Sequence, residues 1–171
     1  MLHPQHYLVV DLEATCNNDG SLPREEMETI EIGAVMVNAG ELQPVGEFQS
    51  FIRPIRHPRL STFCRELTSI AQADVDSADT FPPAFARFAE WSAGFEQVLF
   101  CSWGDYDRKQ LLQDCRFHGA AYPFGDGHLN LKARFSERLG IRRRLGLANA
   151  LARVGLELVG THHRGIDDAR N

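Results

Sequence analysis

Apolar residues run together from Tyr7 to Val10 and stop at Asp11, the pattern of a short buried strand over residues 7–12. The cluster Asn17-Asn18-Asp19-Gly20 with Pro23 predicts the loop that follows. Two further strands over 29–37 and 47–52, joined near Asn38-Ala39-Gly40, complete a three-stranded antiparallel opening. Beyond Pro54 and Pro58 the period changes. Ser61 is placed to cap a helix through Arg65-Glu66-Leu67, and Phe81-Pro82-Pro83 opens another in which Phe85, Phe88, Ala89 and Trp91 recur at near-helical spacing. A fourth strand is predicted over 98–102, then a helix over 106–118 with Leu111, Leu112 and Cys115 inward, and a β segment over 128–131. Helix follows over 132–139, over 145–154 and from Gly165, with Gly140, Gly155 and Gly160 as punctuation. Strands first, then strands alternating with helices, predict an α/β fold: a mixed sheet flanked by helices.

The chain has 171 residues, 43% hydrophobic and 24% charged, which excludes disordered and fibrous classes and suits one domain over 1–171. No apolar run approaches the ~20 residues of a membrane span, and the N-terminus lacks a signal-peptide pattern. We therefore expect a cytoplasmic protein with no membrane partner; no obligate protein partner is evident. Cys16, Cys64, Cys101 and Cys115 show no C-x-x-C spacing and read as reduced structural thiols.

The net charge of −5 conceals an asymmetry. Residues 1–129 carry 9 basic and 19 acidic side chains (net −10), whereas residues 130–171 carry 9 and 4 (net +5). Sixteen of the 18 basic residues are arginine, and Arg142, Arg143 and Arg144 are consecutive. Guanidinium groups suit phosphate, although a basic run also serves as a solvated, salt-bridged face.

Asp11 and Glu13 end the first strand two residues apart, so both project from one face. Like charges beside a core are costly unless a cation lies between them; the alternative is a solvent-facing edge. A second acidic pair, Asp105 and Asp107, follows the fourth strand, and Asp105 fits the cap of the next helix. The third cluster is His162-His163-Arg164-Gly165-Ile166-Asp167-Asp168-Ala169. Asp-x-Glu, a later Asp and a terminal His-x-x-x-x-Asp, in that order, resemble the DEDDh branch of the DnaQ-like 3′-5′ exonuclease superfamily. The match extends to Asp11-Leu12-Glu13-Ala14-Thr15-Cys16, Glu28-Thr29-Ile30-Glu31-Ile32-Gly33-Ala34-Val35, Phe51-Ile52-Arg53-Pro54, Leu60-Ser61-x-Phe63-Cys64-x-x-Leu67-Thr68-x-Ile70 and His163 to Asn171. These segments look like the Eri-type group, which includes histone-mRNA 3′ exonucleases and KapD-like proteins.

The resemblance implies a ribonuclease-H-like fold with five strands. It also implies Asp11, Glu13, Asp107 and Asp168 as carboxylate ligands of two Mg²⁺ ions, with Mn²⁺ as a substitute, and His163 as general base. Asp107 is preferred to Asp105 because Arg108 to Leu112 aligns with the family's helix. Asp168 is preferred to Asp167 because it lies five residues after His163 and just before Ala169; His162 and Asp167 are then supporting neighbours. Two hard cations about 3.5 to 4 Å apart suit phosphodiester hydrolysis. The implied partner is the 3′ end of single-stranded RNA or DNA, RNA preferred, and the implied product a nucleoside 5′-monophosphate. Ala14, Thr15, Leu67 and Thr68 resemble the family's terminal-nucleotide pocket. Phe63 or Trp103 is placed either to stack on a base or to pack in the core. Lys132, Arg134, Arg138 and Arg142 to Arg144 are candidates for upstream phosphates. Two rival readings stand beside it: a non-catalytic RNA-binding or docking module, against which the intact carboxylate set argues, and a DNA proofreading exonuclease. Family members continue beyond the position of Asn171 with apolar residues, so a longer final helix is expected in the natural chain.

Overall fold

The computed structural model describes residues 3–171. Strand β1 (His6–Ala14) lies in the middle of a five-stranded sheet. It pairs antiparallel with β2 (Thr29–Asn38), which pairs antiparallel with β3 (Pro44–Phe51). On its other side β1 runs parallel to β4 (Val98–Ser102), and β4 runs parallel to β5 (His128–Asn130), giving the order β3-β2-β1-β4-β5. The helices are α1 (Thr62–Thr68), α2 (Gln72–Asp76), α3 (Phe81–Ala93), α4 (Tyr106–His118), α5 (Leu131–Arg138), α6 (Leu147–Arg153) and α7 (Gly165–Arg170).

Alternation along β1 fixes the layers. Leu8, Val10 and Leu12 are buried in a cluster with Ile32, Ala34 and Met36 of β2, Phe81, Phe85 and Phe88 of α3, and Leu111 and Cys115 of α4. Val9, Asp11 and Glu13 therefore face the opposite side. There α7 packs Ile166 and Ala169 on Val35 and Val37 of β2. A tight approach of two glycines allows this docking. A Cβ on Gly33 would lie 2.0 Å from the Gly165 carbonyl carbon and 2.1 Å from the Ile166 nitrogen, well inside ordinary contact.

The expected mixed sheet flanked by helices is present, with four departures in detail. A 3₁₀ turn, Arg24–Glu26, interrupts the predicted first loop, and the short α2 follows α1 as a separate helix. Leu112 is only half-buried, because Leu111, Asp114 and Cys115 take the inner face of α4. Asp105 occupies the N-cap position of α4 without a side-chain cap bond; its Oδ1 instead accepts from Asn130 Nδ2 at 3.0 Å, drawing the end of β5 toward α4. The Ser61 cap is formed as expected, accepting from the Cys64 amide at 2.9 Å. All four cysteines are free thiols; Cys64, Cys101 and Cys115 are buried and Cys16 is partly exposed.

Candidate active site

The pairing of β1 with β4 ends at Val9 and Cys101, so the last residues of β1 run on without a parallel neighbour. Substrate crevices in α/β sheets form beyond the carboxyl ends of such strands. A cleft of about 330 Å³ opens here, walled by β1, the start of α4, the start of α6 and the segment leading into α7.

Three carboxylates meet in it. Oxygens of Asp11, Glu13 and Asp168 all lie within 4.8 Å of one another, although Asp168 is 155 residues from Glu13 in the chain. Asp168 is fixed from several sides: its Oδ2 accepts from the His163 amide at 2.9 Å, and His162 Nδ1 lies 3.1 Å from both oxygens. For that amide to point back at Asp168, His163 adopts φ +63°, a left-handed conformation unusual outside glycine. The two imidazoles stack with centroids 4.0 Å apart. Asp107 lines the same cleft from the first turn of α4, and its Oδ1 accepts from the Leu12 amide at 3.1 Å, tying α4 to β1 between Asp11 and Glu13.

A further carboxylate, Glu31, is fully buried opposite Glu13 in the strand register. Its Oε2 accepts from the Gly165 amide at 3.0 Å and from Arg164 Nε at 3.2 Å, and its Oε1 from Gln49 Nε2 at 2.6 Å. Glu31 thus holds the start of α7 to the sheet.

Crowded, buried carboxylates resist ionisation. Burial pushes Asp11 well above the ordinary carboxylate value, with added repulsion from Asp107, Glu13 and Asp168. Burial, then Asp168 and Glu31, push Glu13 up to about 8. Burial raises Asp107 to about 6, opposed by the Leu12 amide bond. Burial and then the His162 neighbour lower His163, against the pull of Asp168, so this imidazole is neutral near pH 7. An all-oxygen cluster with excess negative charge fits hard divalent cations, and these residues match that chemistry.

The same shifts predict a pH dependence. Between the unfolded values near 4 and the folded values of about 6 for Asp107 and 8 for Glu13, the folded protein binds more protons than the unfolded chain. These groups therefore lower stability as pH rises through that window. In chelator the melting temperature should fall between pH 5.5 and 8. Mg²⁺ at 100 times its dissociation constant should restore about 2.7 kcal/mol and flatten the profile. Scanning fluorimetry with and without Mg²⁺ checks this, and identical profiles would contradict a cation site.

Of the residues expected to hold the terminal nucleotide, Ala14, Leu67 and Trp103 line the cleft. Thr15 is buried, its Oγ1 accepting from the Glu28 amide at 3.0 Å. Thr68 is buried at the end of α1, its Oγ1 donating to the Cys64 carbonyl and accepting from the Ile70 amide. Both threonines shape backbone beside the cleft, and Phe63 sits half-buried on α1 outside its lining. Cys16, read from the sequence as a structural thiol, also lines it, as do Tyr106, Gly146 and Leu147, which the sequence pattern did not mark. Tyr106, one residue before Asp107 in the opening turn of α4, carried a local signal; Leu147 carried none, because chain folding alone brings α6 there.

Comparison with known proteins agrees with this geometry. The chain is 33% identical to human ERI1 exoribonuclease 2, over 97% of this chain and 27% of the relative. It is also 33% identical to human ERI1 exoribonuclease 3, over 98% and 52% respectively. It thus spans between about a quarter and a half of the length of these relatives. The nuclease domain of 3′hExo, a DEDDh family member solved bound to rAMP, superposes with a TM-score of 0.90 at 29% identity, covering 98% of this chain and 88% of that one. The mixed sheet is therefore of the ribonuclease-H-like exonuclease type. Since the RNase_T family model, Exonuclease, matches residues 8–171, this chain belongs to that exonuclease family.

Proposed function

We propose that residues 1–171 act as one exonuclease unit. It removes nucleotides from the 3′ end of single-stranded RNA, in preference to DNA, as 5′-monophosphates. The observation that carries this reading is the meeting of Asp11, Glu13 and Asp168 at the open end of β1, with Asp107 and His163 on the same cleft. Asp11, Glu13, Asp168 and Asp107 would hold two divalent cations, Mg²⁺ or Mn²⁺. When bound, such ions offset the charge of carboxylates and phosphate and make a water more acidic.

The remaining steps belong to the chain itself. His163, neutral at physiological pH, takes the proton of the attacking water. The His163 amide and His162 fix Asp168, so that proton acceptor and carboxylate keep a constant relation. Ala14, Leu67 and Tyr106 give the cleft apolar and aromatic walls for the terminal sugar and base. Acceptance of the 2′-hydroxyl is the basis on which RNA would be favoured. The RNA preference draws on the exoribonucleases to which the chain is similar. No helix among the described residues is long and apolar enough to cross a membrane. Four free thiols support the reducing cytoplasm as the setting.

Competition tests the reading. Equimolar 5′-labelled RNA and DNA of one sequence, each with a free or a 3′-phosphorylated end, should shorten stepwise only from the free 3′-hydroxyl, with RNA consumed faster. Internal cleavage, or shortening from the 5′ end, would overturn it.

A further inference from the structure

Two residues of the cleft wall also border a second cavity. Trp103 borders a hollow beside α5, and Cys16 borders one of about 200 Å³ together with Asn17, His57, Arg59 and Ser61. Cys16 is thus open to small solutes on two sides, whereas the other three cysteines are buried. Behind it lies Cys64 of α1, fully buried, and the Cys16 side chain packs on the cluster that Cys64 forms with Ile30, Leu60, Ile70 and Val75. The two thiols are hydrogen-bonded to each other. One hydroxyl also joins their backbones: Ser61 Oγ donates to the Cys16 carbonyl at 2.6 Å and accepts from the Cys64 amide at 2.9 Å.

This pair sits directly behind the walls of the cleft. Cys16 follows Glu13 by three residues, and Cys64 Sγ donates at 3.7 Å to the carbonyl of Ala14, itself a wall residue. Leu67, the wall contributed by α1, lies one turn beyond Cys64. A change in the relation of the two sulfurs is therefore felt at Ala14 and Leu67. The pair also differs from Cys101 and Cys115, whose thiols burial pushes up to about 12 and so keeps protonated. Cys64 gives up its proton far more readily, at about 7, because Cys16 then donates to it.

We propose that Cys16 and Cys64 are a redox modification site, closed to a disulfide by hydrogen peroxide and reopened by thiol reductants, and that closure slows nucleotide release. The Cys16 hydrogen passes to the ionised Cys64 as the Cys16 sulfur attacks the peroxide; an S–O bond forms, the O–O bond breaks and hydroxide leaves. The Cys64 sulfur then attacks the Cys16 sulfur. The S–S bond forms, the S–O bond breaks, and the departing hydroxyl takes the Cys64 hydrogen as water. Each sulfur loses one electron, and the peroxide gains both. Drawing the sulfurs from hydrogen-bond contact to the ~2.05 Å of a disulfide removes the Cys64 bond to Ala14 and pulls α1, with Leu67, toward the segment after Glu13. The modification stands apart from the exonuclease reading, and its effect on rate rests on that reading.

The test treats the full chain with hydrogen peroxide in Mg²⁺, blocks the remaining thiols with iodoacetamide and maps the peptides by mass spectrometry. Nucleotide release from single-stranded RNA is followed before oxidation, after it and after dithiothreitol. A peptide linking Cys16 to Cys64 should appear. The rate should fall about tenfold with it, less than the ~10²-fold of a 1 Å misplacement, and return with dithiothreitol. Cys16→Ala, at the partly exposed position, should keep one rate before and after peroxide, whatever its starting value. Thiols that stay free, or a linkage elsewhere, would overturn the site. A Cys16–Cys64 linkage that leaves the rate unchanged, or a Cys16→Ala variant that loses as much as the wild-type chain, would overturn the control of activity. If the reduced chain releases no nucleotide, the exonuclease reading falls and the linked peptide alone decides the modification site.

Discussion

Asp11→Asn should lower the rate of nucleotide release by about 10³-fold or more and, in chelator, make the protein more stable. The first effect follows from the position of Asp11. It shares the cleft with Glu13, Asp168 and Asp107, and a neutral amide cannot replace a charged ligand in that set. Loss of about 4 kcal/mol of charge stabilisation at the reacting phosphate corresponds to that factor. The second effect follows from the same crowding. Burial and four neighbouring carboxylates, Asp107, Glu13, Asp168 and Glu31, oppose the charge on Asp11, so its removal relieves repulsion in the metal-free protein. Substitutions that relieve functional strain commonly add about 0.5–2 kcal/mol. For a domain of this length each kcal/mol raises the melting temperature by about 2–4 °C. Melting curves in chelator and single-turnover rates in Mg²⁺ check both halves. A variant that loses activity and also stability in chelator would show that Asp11 serves packing, not cation binding.

Gly33→Ala should produce the second large effect by moving a helix. Gly33 lies opposite Asp11 in the strand register, and an added Cβ would meet backbone atoms of Gly165 and Ile166 at 2.0–2.3 Å. Backbone does not rotate away as a flexible side chain does, so α7 must retreat by more than 1 Å to restore ordinary contact. Asp168 and His163 travel with it. A displacement of that size at a reacting centre costs about 10²-fold in rate, and overpacking costs about 1–3 kcal/mol of stability. Glu31→Gln separates these contributions, because it keeps the shape and weakens the charge-assisted hold on Gly165 and Arg164. Its activity loss should be smaller and should be partly recovered by raising Mg²⁺, whereas that of Gly33→Ala should not. Equal responses of the two variants to Mg²⁺ would contradict positioning through α7.

The strands, though not their order across the sheet, were legible in the sequence because buried β segments declare themselves by apolar runs and bounding turns. Leu8, Val10 and Leu12 occupy the core face as the alternation of β1 requires, and Asp11 and Glu13 project together from the other. The order of the carboxylates was likewise legible, since their types and spacing resemble a family pattern. What escaped notice depended on three-dimensional closure. Glu31 reads as one more strand residue; only the docking of α7 makes it the anchor of the His163 and Asp168 segment. Gly33 has no local turn to explain it, and its reason lies 132 residues away at Gly165. Asp105 obeyed a helix-capping preference in sequence, yet Asn130 captured its side chain. Trp103 looked like a choice between stacking and packing, and the structure gives it a wall in each of two cavities.

In the proposed reaction the cluster of Asp11, Glu13 and Asp168 would drive cation-dependent hydrolysis at a 3′ end. The most direct measurement follows 5′-labelled single-stranded RNA on a sequencing gel with Mg²⁺, with Mn²⁺ and with chelator, while released nucleotides are identified by chromatography. A ladder shortening one residue at a time from the 3′ end, 5′-monophosphates as the released species and no reaction in chelator are expected. Undiminished shortening in chelator, or release of 3′-monophosphates, would contradict it.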